Sequence, residues 1–299
     1  MRKIVQCLQS SNVNVTVYDT VKAIKKAGFD GAFAQWYKRG AGGVTVGGRE
    51  QVGLIRDEGL FVPFVHLGYD HINDLWLDGK PGDDMIDDYI ADLDEVEKVG
   101  VDTVILHLTS KQNPPAPNEL GVNRLMRLFL AAEERGISVA LENNKVPGYF
   151  EYVFRMTGDS AKVCLDVGHW HAHFKDRFDR KLLDGRIVAV HLHDNFGEDD
   201  EHLLPFDGNV PWEFYAENIS ACGYGGDITL ESRYYGKYTV ESLDEFYRTA
   251  FSAAWMSVTV GTPNVSCTFF RTFNAFSSPI PMNESRRERL ALRYEPLNT

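Results

Sequence analysis

The sequence predicts a (β/α)8 TIM barrel, an α/β fold in which eight parallel strands are surrounded by helices. Short apolar runs alternate eight times with segments of helical or loop character, which is typical of a parallel sheet. These units occupy about 250 residues, the usual size of such a barrel. Most of the apolar runs are followed at once by His, Asp or Glu. Active sites form at the carboxyl ends of barrel strands, so this placement also favours the barrel.

The first half of the chain contains four strand–helix units. Its strands are predicted from apolar runs at 4–8, 31–35, 60–65 and 101–106. Its helices are predicted from apolar residues three and four positions apart at 20–27, 50–58, 83–99 and 119–135. A glycine follows each of these helices directly, and glycine is the residue that most often ends a helix.

The second half repeats the plan and then changes character. Its strands are predicted at 137–141, 162–165, 186–190 and 227–230. Its clearest helices are predicted at 149–156, 212–222 and 240–256. The barrel domain is therefore expected to occupy residues 1–256. Residues 257–299, with four prolines and five Arg against three Glu, are expected to form a C-terminal extension of unknown role.

Composition and charge favour a small-molecule partner. The net charge is −12 and the pI is about 5.2, whereas nucleic-acid binding needs a basic surface. No apolar stretch is long enough for a membrane span, and the N-terminal residues lack the apolar segment of a signal peptide. The four cysteines are scattered and form no CxxC pair, which favours a reduced, cytoplasmic location. The oligomeric state stays open, and a homo-oligomer is compatible with the sequence.

Carboxylates and imidazoles at four strand ends predict a metal site. Glu142, Asp166 and Glu231 come directly after apolar runs, and His191 and His193 end the seventh run. Each glutamate alone is explained equally well as a solvated strand end. Together with a histidine, the carboxylates suit Mn²⁺, Mg²⁺, Co²⁺ or Zn²⁺. Both histidines point into the barrel, and His193, nearer the mouth, is the expected ligand, with His191 one layer deeper.

Other residues near the strand ends are candidates for contact with a substrate or for structural roles. His66 and His107 follow the third and fourth runs, and His169 lies in the turn after Asp166. Each of these histidines, taken alone, is more often structural than functional. Trp36 follows the second run and is a candidate substrate contact.

Five motifs resemble the xylose isomerase-like barrels: LEN at 141–143, LDVGH at 165–169, HLHDN at 191–195, DEHLLPFDGNVPW at 200–212 and LES at 230–232. This superfamily includes sugar phosphate isomerases and epimerases, ketose 3-epimerases, inositol-pathway isomerases and endonuclease IV. The resemblance covers residues 1 to 256. It implies a metal quartet of Glu142, Asp166, His193 and Glu231. In the epimerase branch the two glutamates also form the acid–base pair, and His169 would touch the substrate.

The chain differs from the usual motif at one loop and is similar to the endonuclease branch at others. The loop before Trp212 reads Phe206-Asp207-Gly208, where the family usually has GEG or GxG. The endonuclease branch has further ligands after strands three, four and seven. The resemblance places possible additional ligands at His66, His107, Asp200 and His202, with His191 as a further candidate.

Two main hypotheses of function follow, both enzymatic. The first is a metal-dependent isomerase or epimerase of a sugar or sugar phosphate, working through an enediolate with Glu142 and Glu231 as acid–base pair. Arg233 or Lys145 would then orient a distal hydroxyl or phosphate. The second is a zinc-cluster phosphoesterase of the endonuclease IV kind, or a metal-dependent dehydratase of the same superfamily. The charge of −12 disfavours DNA as substrate.

Overall fold

The eight predicted strands form a parallel barrel. The computed structural model describes residues 2–8, 15–38, 44–110, 113–174 and 180–259. The strands are β1 Ile4–Cys7, β2 Gly31–Trp36, β3 Val65–Leu67, β4 Thr103–Leu106, β5 Ser138–Glu142, β6 Lys162–Asp166, β7 Ile187–His191 and β8 Ile228–Leu230. From β1 to β7 each strand pairs in parallel with the next one in sequence, and β1 also pairs in parallel with β8. A single bridge between Leu192 and Leu230 joins β7 to β8 and nearly closes the barrel.

Helices connect the strands on the outside of the barrel. They are α1 Val17–Ala27, α2 Gly48–Asp57, α3 Lys80–Lys98, α4 Glu119–Glu134, α5 Pro147–Thr157, α6 Val167–His169, α7 Trp212–Ala221 and α8 Leu243–Thr259. The short α6 continues as a π-helical turn over Trp170–Phe174. Within the described residues, no helix is both long and apolar enough to cross a membrane.

Side chains alternate along the strands, so the barrel has two apolar regions. The larger region lies between the outer faces of the strands and the helices. The smaller one fills the barrel itself with one or two residues from each of seven strands or the segments leading into them: Val5, Cys7, Phe33, Phe64, Ile105, Ala140, Cys164 and Ala189. We call these eight residues the apolar floor, because the polar residues of the strand ends lie directly above them.

Most boundaries differ from the predicted ones by a few residues, and two differences affect the site and the predicted domain limit. The third strand is Val65–Leu67 and not 60–65, so His66 lies within it. Phe61 makes only an isolated bridge with Gly31, and Pro63 has no N–H with which to continue the ladder. Helix α8 reaches Thr259, three residues beyond the predicted end of the barrel. The rest of the predicted extension, from residue 260, lies outside the described residues.

Candidate metal centre

A polar layer lies directly above the apolar floor of the barrel. Side chains two positions apart on a strand point the same way, and on six strands the residue two positions after a floor residue is polar. These residues are Gln35, His66, His107, Glu142, Asp166 and His191. The sequence therefore places its ligand-type side chains on one level at the carboxyl end of the barrel.

Four side chains of this region form an inner group: Glu142, Asp166, His191 and Glu231. All four are buried, and one ligand atom from each lies within 4.8 Å of the others. Nδ1 of His191 is 3.4 Å from Oε2 of Glu231 and 3.6 Å from Oε2 of Glu142. Four ligands of mixed carboxylate and imidazole type at this separation can hold one divalent ion.

The imidazole of the inner group is His191, while His193, the ligand expected from the sequence, forms a separate set with Asp166 and His169, and its Nε2 lies 3.1 Å from Oδ1 of Asp166. The reason lies in the strand register, because His191 is the sheet partner of Asp166 and so stands level with it. His193 lies nearer the rim, where its ring packs against Gly168. A Cβ on Gly168 would lie 1.9 Å from Cε1 of His193, so only glycine allows this approach.

His66 and His107 contact the same oxygen of Glu142. Nε2 of each histidine lies 3.1 Å from Oε2 of Glu142. Nδ1 of His66 donates a hydrogen bond to the carbonyl oxygen of Leu67, which leaves the lone pair of a neutral ring on Nε2. A lone pair that faces a carboxylate oxygen is suited to a cation lying between them.

In the loop between β7 and α7, His202 faces a carboxylate in the same way as His66 does. Nδ1 of His202 donates to the carbonyl oxygen of Glu231, and Nε2 of His202 lies 3.1 Å from Oδ1 of Asp200. His193 joins these two residues in a set that we call the loop group: His193, Asp200 and His202. Asp200 also lies 3.2 Å from Nε2 of His169, which links the loop group to the turn after β6.

Several buried polar atoms of these groups have no hydrogen-bond partner among the described residues. They include Oδ2 of Asp166, both ring nitrogens of His191 and of His193, and Oδ1 of Asp200. Buried polar atoms are normally paired, and these are atoms of the kind that bind divalent cations. The residues present therefore fit one or more such ions.

The pKa values of two carboxylates of the centre, Glu142 and Glu231, are lowered, which favours their ionised form. Burial alone would raise the pKa of Glu142, but His107 and His191 lower it well below its usual value. Burial likewise opposes ionisation of Glu231, yet His191, His202 and Arg233 lower its pKa to about 2. Ionised carboxylates are the form that binds a metal or accepts a proton.

A cavity of 390 Å³ opens above the centre, a size that suits one small polar ligand. Its lining includes residues that the sequence predicts as ligands or substrate contacts: His66, His107, Glu142, His169, Glu231 and Arg233. Lys145 is also at its wall. Trp36 does not line it, because it points out of the barrel and packs against Gly48. Gln35, one residue earlier, points inward and lines the cavity instead.

Three residues have contacts at the site that the sequence did not predict, although Asp194 follows the seventh run and is grouped there with the metal-type ligands. The ring of Tyr69 stacks on His107 with centroids 4.0 Å apart and lines the cavity. The side chains of Asn143 and Asp194 form hydrogen bonds with the backbone near the predicted ligands. Asn143 and Asp194 stand next to predicted ligands, within LEN and HLHDN, but a single sequence does not show which neighbour of a ligand is buried and hydrogen-bonded.

The fold and the site together define a (β/α)8 barrel with a buried set of side chains that could hold a divalent ion at the carboxyl ends of its strands. The chain belongs to the xylose isomerase-like TIM barrel family, whose model matches residues 21–255.

Curated relatives match only in part. The uncharacterized protein y4fM of Sinorhizobium fredii is 32% identical over 155 residues, which are 47% of this chain and 50% of that protein. The uncharacterized protein MJ1311 of Methanocaldococcus jannaschii is 31% identical over 123 residues, which are 36% of this chain and 41% of that protein. The chain thus spans about half the length of the curated relatives it matches.

Solved structures show the same fold at low identity. L-ribulose 3-epimerase superposes with a TM-score of 0.66 at 16% identity, and the superposition covers 100% of this chain and 100% of that one. A D-tagatose 3-epimerase-like protein gives a TM-score of 0.64 at 18% identity, over 86% of this chain and 98% of that one. An IOLI protein with a bound zinc atom gives 0.67 at 16% identity, over 87% of this chain and 99% of that one.

Proposed function

We propose that the protein is a metal-dependent isomerase or epimerase of a small sugar or sugar phosphate. One observation carries the proposal. Glu142 is the last residue of β5 and Glu231 directly follows β8, three strands away around the barrel, and both belong to the inner group beneath the cavity. Two ionised carboxylates that flank one ligand position can act on opposite sides of a bound carbon atom. The epimerases among the solved structures of the same fold support the same class of reaction.

The inner group would hold the divalent ion through Glu142, Asp166, His191 and Glu231. When bound there, the ion would polarise the carbonyl oxygen of the sugar and stabilise the negative charge of the enediolate. The choice of His191 in place of His193 follows from its level beside Asp166. His193 then remains available to the loop group.

The glutamates would move the proton. One carboxylate removes the hydrogen of the carbon next to the sugar carbonyl, and the electron pair of the broken C–H bond forms the enediolate. For epimerisation, the other carboxylate takes up a proton from water and delivers it to the opposite face of the same carbon, and the first carboxyl group releases its proton to water. For isomerisation, a proton is returned to the neighbouring carbon. Neither outcome consumes a further reactant.

Other residues at the wall of the cavity would orient the substrate. Lys145 and Arg233 are the cationic side chains there, and they suit a phosphate or a distal hydroxyl. His107 and Tyr69 form a stacked pair at the wall, which gives the bound molecule a flat surface to lie against. The site thus combines an anion-binding side with a proton-transfer side.

A second candidate is a metal-cluster phosphoesterase, and one specific observation favours it. Four sets of possible ligands adjoin one another, and Glu142, Asp166 and His193 each belong to two of them. Two or three ions so placed could hold a phosphate and activate water. The net charge of −12 argues against a nucleic-acid substrate for such an enzyme.

The experiment that tests the proposal is a substrate screen on protein stripped of metal and then reloaded with Mn²⁺, Co²⁺, Mg²⁺ or Zn²⁺. Ketoses, ketose phosphates and a model phosphodiester are incubated separately in D₂O, and the products are examined by NMR. We expect a new epimer or isomer that carries deuterium, formed only by the reloaded protein. Hydrolysis of a phosphodiester with no change in any ketose would overturn the proposal in favour of the second candidate.

A further inference from the structure

Asp194 is a buried carboxylate that faces away from the metal centre and into the loop between β7 and α7. Its Oδ1 accepts hydrogen bonds from the backbone N–H groups of Asn195 and Val210, at 2.9 and 3.0 Å. Its Oδ2 accepts from the backbone N–H of Phe206 at 2.8 Å and from Nε1 of Trp212 at 3.2 Å. One side chain therefore joins both ends and the middle of residues 195–212.

The backbone of this loop is strained where Asp194 holds it. Phe206 has φ of 74° and His202 has φ of 46°, both in the left-handed region that non-glycine residues rarely adopt. Such conformations persist only when the surroundings fix them. Phe206 receives that support directly from Oδ2 of Asp194. The backbone of Asp194 also forms a two-way bridge with Leu203, at 2.9 and 2.8 Å, next to His202.

The loop is also packed tightly against the carboxylate. A Cβ on Gly208 would lie 2.4 Å from Oδ1 of Asp194 and 2.3 Å from the carbonyl oxygen of Asn195. Any larger residue at position 208 would thus push the loop away from Asp194. The other groups of the metal centre lie on strands or in the turn after β6, whereas Asp200 and His202 depend on this loop.

We propose that Asp194 is a positioning residue that fixes the β7–α7 loop so that Asp200 and His202 complete an ion position with His193. The inference rests on the proposed function in one respect, namely that the cavity takes divalent ions. Asp194 itself binds no ion in this account. It acts through the four hydrogen bonds that shape the loop, and the inner group forms without it.

The substitution Asp194→Asn tests the role with little change in size. The asparagine has one acceptor oxygen and turns an amide toward two of the four donors. Cobalt titration of the stripped full-length chain, followed by absorption spectroscopy, counts ions and reports their affinities. Asp200→Asn defines the ion that depends on the loop group, and Glu231→Gln defines the ion of the inner group. We expect Asp194→Asn to weaken the first by about tenfold or more and to leave the second unchanged.

Further variants separate positioning from a general loss of structure. Gly208→Ala disturbs the same contact without changing a charge, and should weaken the same ion. The double variant Asp194→Asn with Asp200→Asn should lose no more than Asp200→Asn alone, because both act on one ion. Asp30→Asn is the matched control, since Asp30 also accepts a backbone hydrogen bond, from Ile4 at 2.8 Å, at the amino-terminal side of the barrel. It should leave both ions unchanged.

The outcomes are distinct. Wild-type affinity for the Asp200-dependent ion in folded Asp194→Asn and Gly208→Ala would overturn the inference. So would equal loss of both ions in these two variants, or the absence of any ion that depends on Asp200. Absence of the ion that depends on Glu231 would instead count against the proposed function.

Discussion

The carboxamide of Asn143 forms two hydrogen bonds with the backbone of Asp166. Its Nδ2 donates to the carbonyl oxygen of Asp166 at 2.8 Å, and its Oδ1 accepts from the backbone N–H of Asp166 at 2.7 Å. Asn143 follows Glu142 directly, so this pair ties the ends of β5 and β6 together where each strand presents a ligand. The spacing between the carboxylates of Glu142 and Asp166 therefore depends on a residue that binds no ion.

Replacing Asn143 with alanine should destabilise the protein by about 2 kcal/mol, because it leaves a buried N–H and C=O of Asp166 unpaired. Urea unfolding measures the loss. Asn218→Ala is the matched control, since Asn218 makes one exposed hydrogen bond, to the carbonyl oxygen of Phe214, and should change stability by less than about 0.5 kcal/mol. Equal stability of the two variants would show that the two hydrogen bonds of Asn143 contribute little to the free energy of unfolding.

Glu142→Gln and Glu231→Gln should each slow turnover by at least about 100-fold while the fold stays intact. Glutamine keeps the size of the side chain but cannot accept the proton of the substrate. Steady-state rates with the ion-loaded enzyme, together with thermal unfolding, check this. Glu217→Gln is the control, because Glu217 is exposed on α7. Substantial activity in either site variant would show that its carboxylate is not part of the acid–base pair.

His191→Ala and His193→Ala should differ in which ion they lose. His191→Ala removes a ligand of the inner group and should abolish ion-dependent turnover. His193→Ala should weaken the ion held by the loop group and leave an ion at the inner group. Elemental analysis of each variant after loading and desalting distinguishes the two. If His193→Ala instead empties the inner group, the assignment reverts to the one expected from the sequence.

Ion binding should release protons and become tighter as the pH rises. Burial alone would lower the pKa of His169, but Asp166 and Asp200 raise it well above its usual value. The pKa of His191 is likewise raised, against burial, by neighbours that include Glu231. The raised pKa values favour the protonated form of both rings in the ion-free protein. An ion binds the neutral ring, so a proton has to leave first. The affinity for the ion should therefore rise as the pH increases up to the raised pKa values.

Calorimetry in buffers of different ionisation enthalpy counts the released protons between about pH 6 and about pH 8. His173→Ala is a suitable control. Burial, with His169 nearby, lowers the pKa of His173 to about 4, so its ring is already neutral over this range. The control should release as many protons as the wild type. An affinity that does not change with pH would mean that His169 and His191 are neutral before the ion binds.

The sequence predicts the barrel well because most strand ends carry a visible signal, an apolar run followed by a charged or imidazole side chain. It also places His191 and His193 on the same face, as the structure has them. It could not decide which of them is level with Asp166. That depends on an irregularity in the β6–β7 pairing between Val163 and Cys164, which shifts the register by one residue. Pairing register is set by the whole sheet and not by local spacing.

The β7–α7 loop shows a second limit of the same kind. The motif difference at Phe206 is visible in the sequence, where the family usually has glycine. The structure shows that this residue has a positive φ, which explains why glycine suits the position. The support that lets phenylalanine adopt it comes from Asp194, twelve positions earlier, and such a contact cannot be read from residue types alone.

The most direct test of the central claim is anomalous diffraction from crystals of the protein loaded with Mn²⁺. The account predicts a strong peak within coordination distance of Glu142, Asp166, His191 and Glu231. The same peak should be lost in His191→Ala crystals grown under the same conditions. Loaded wild-type crystals with no anomalous peak among these four side chains would contradict the account.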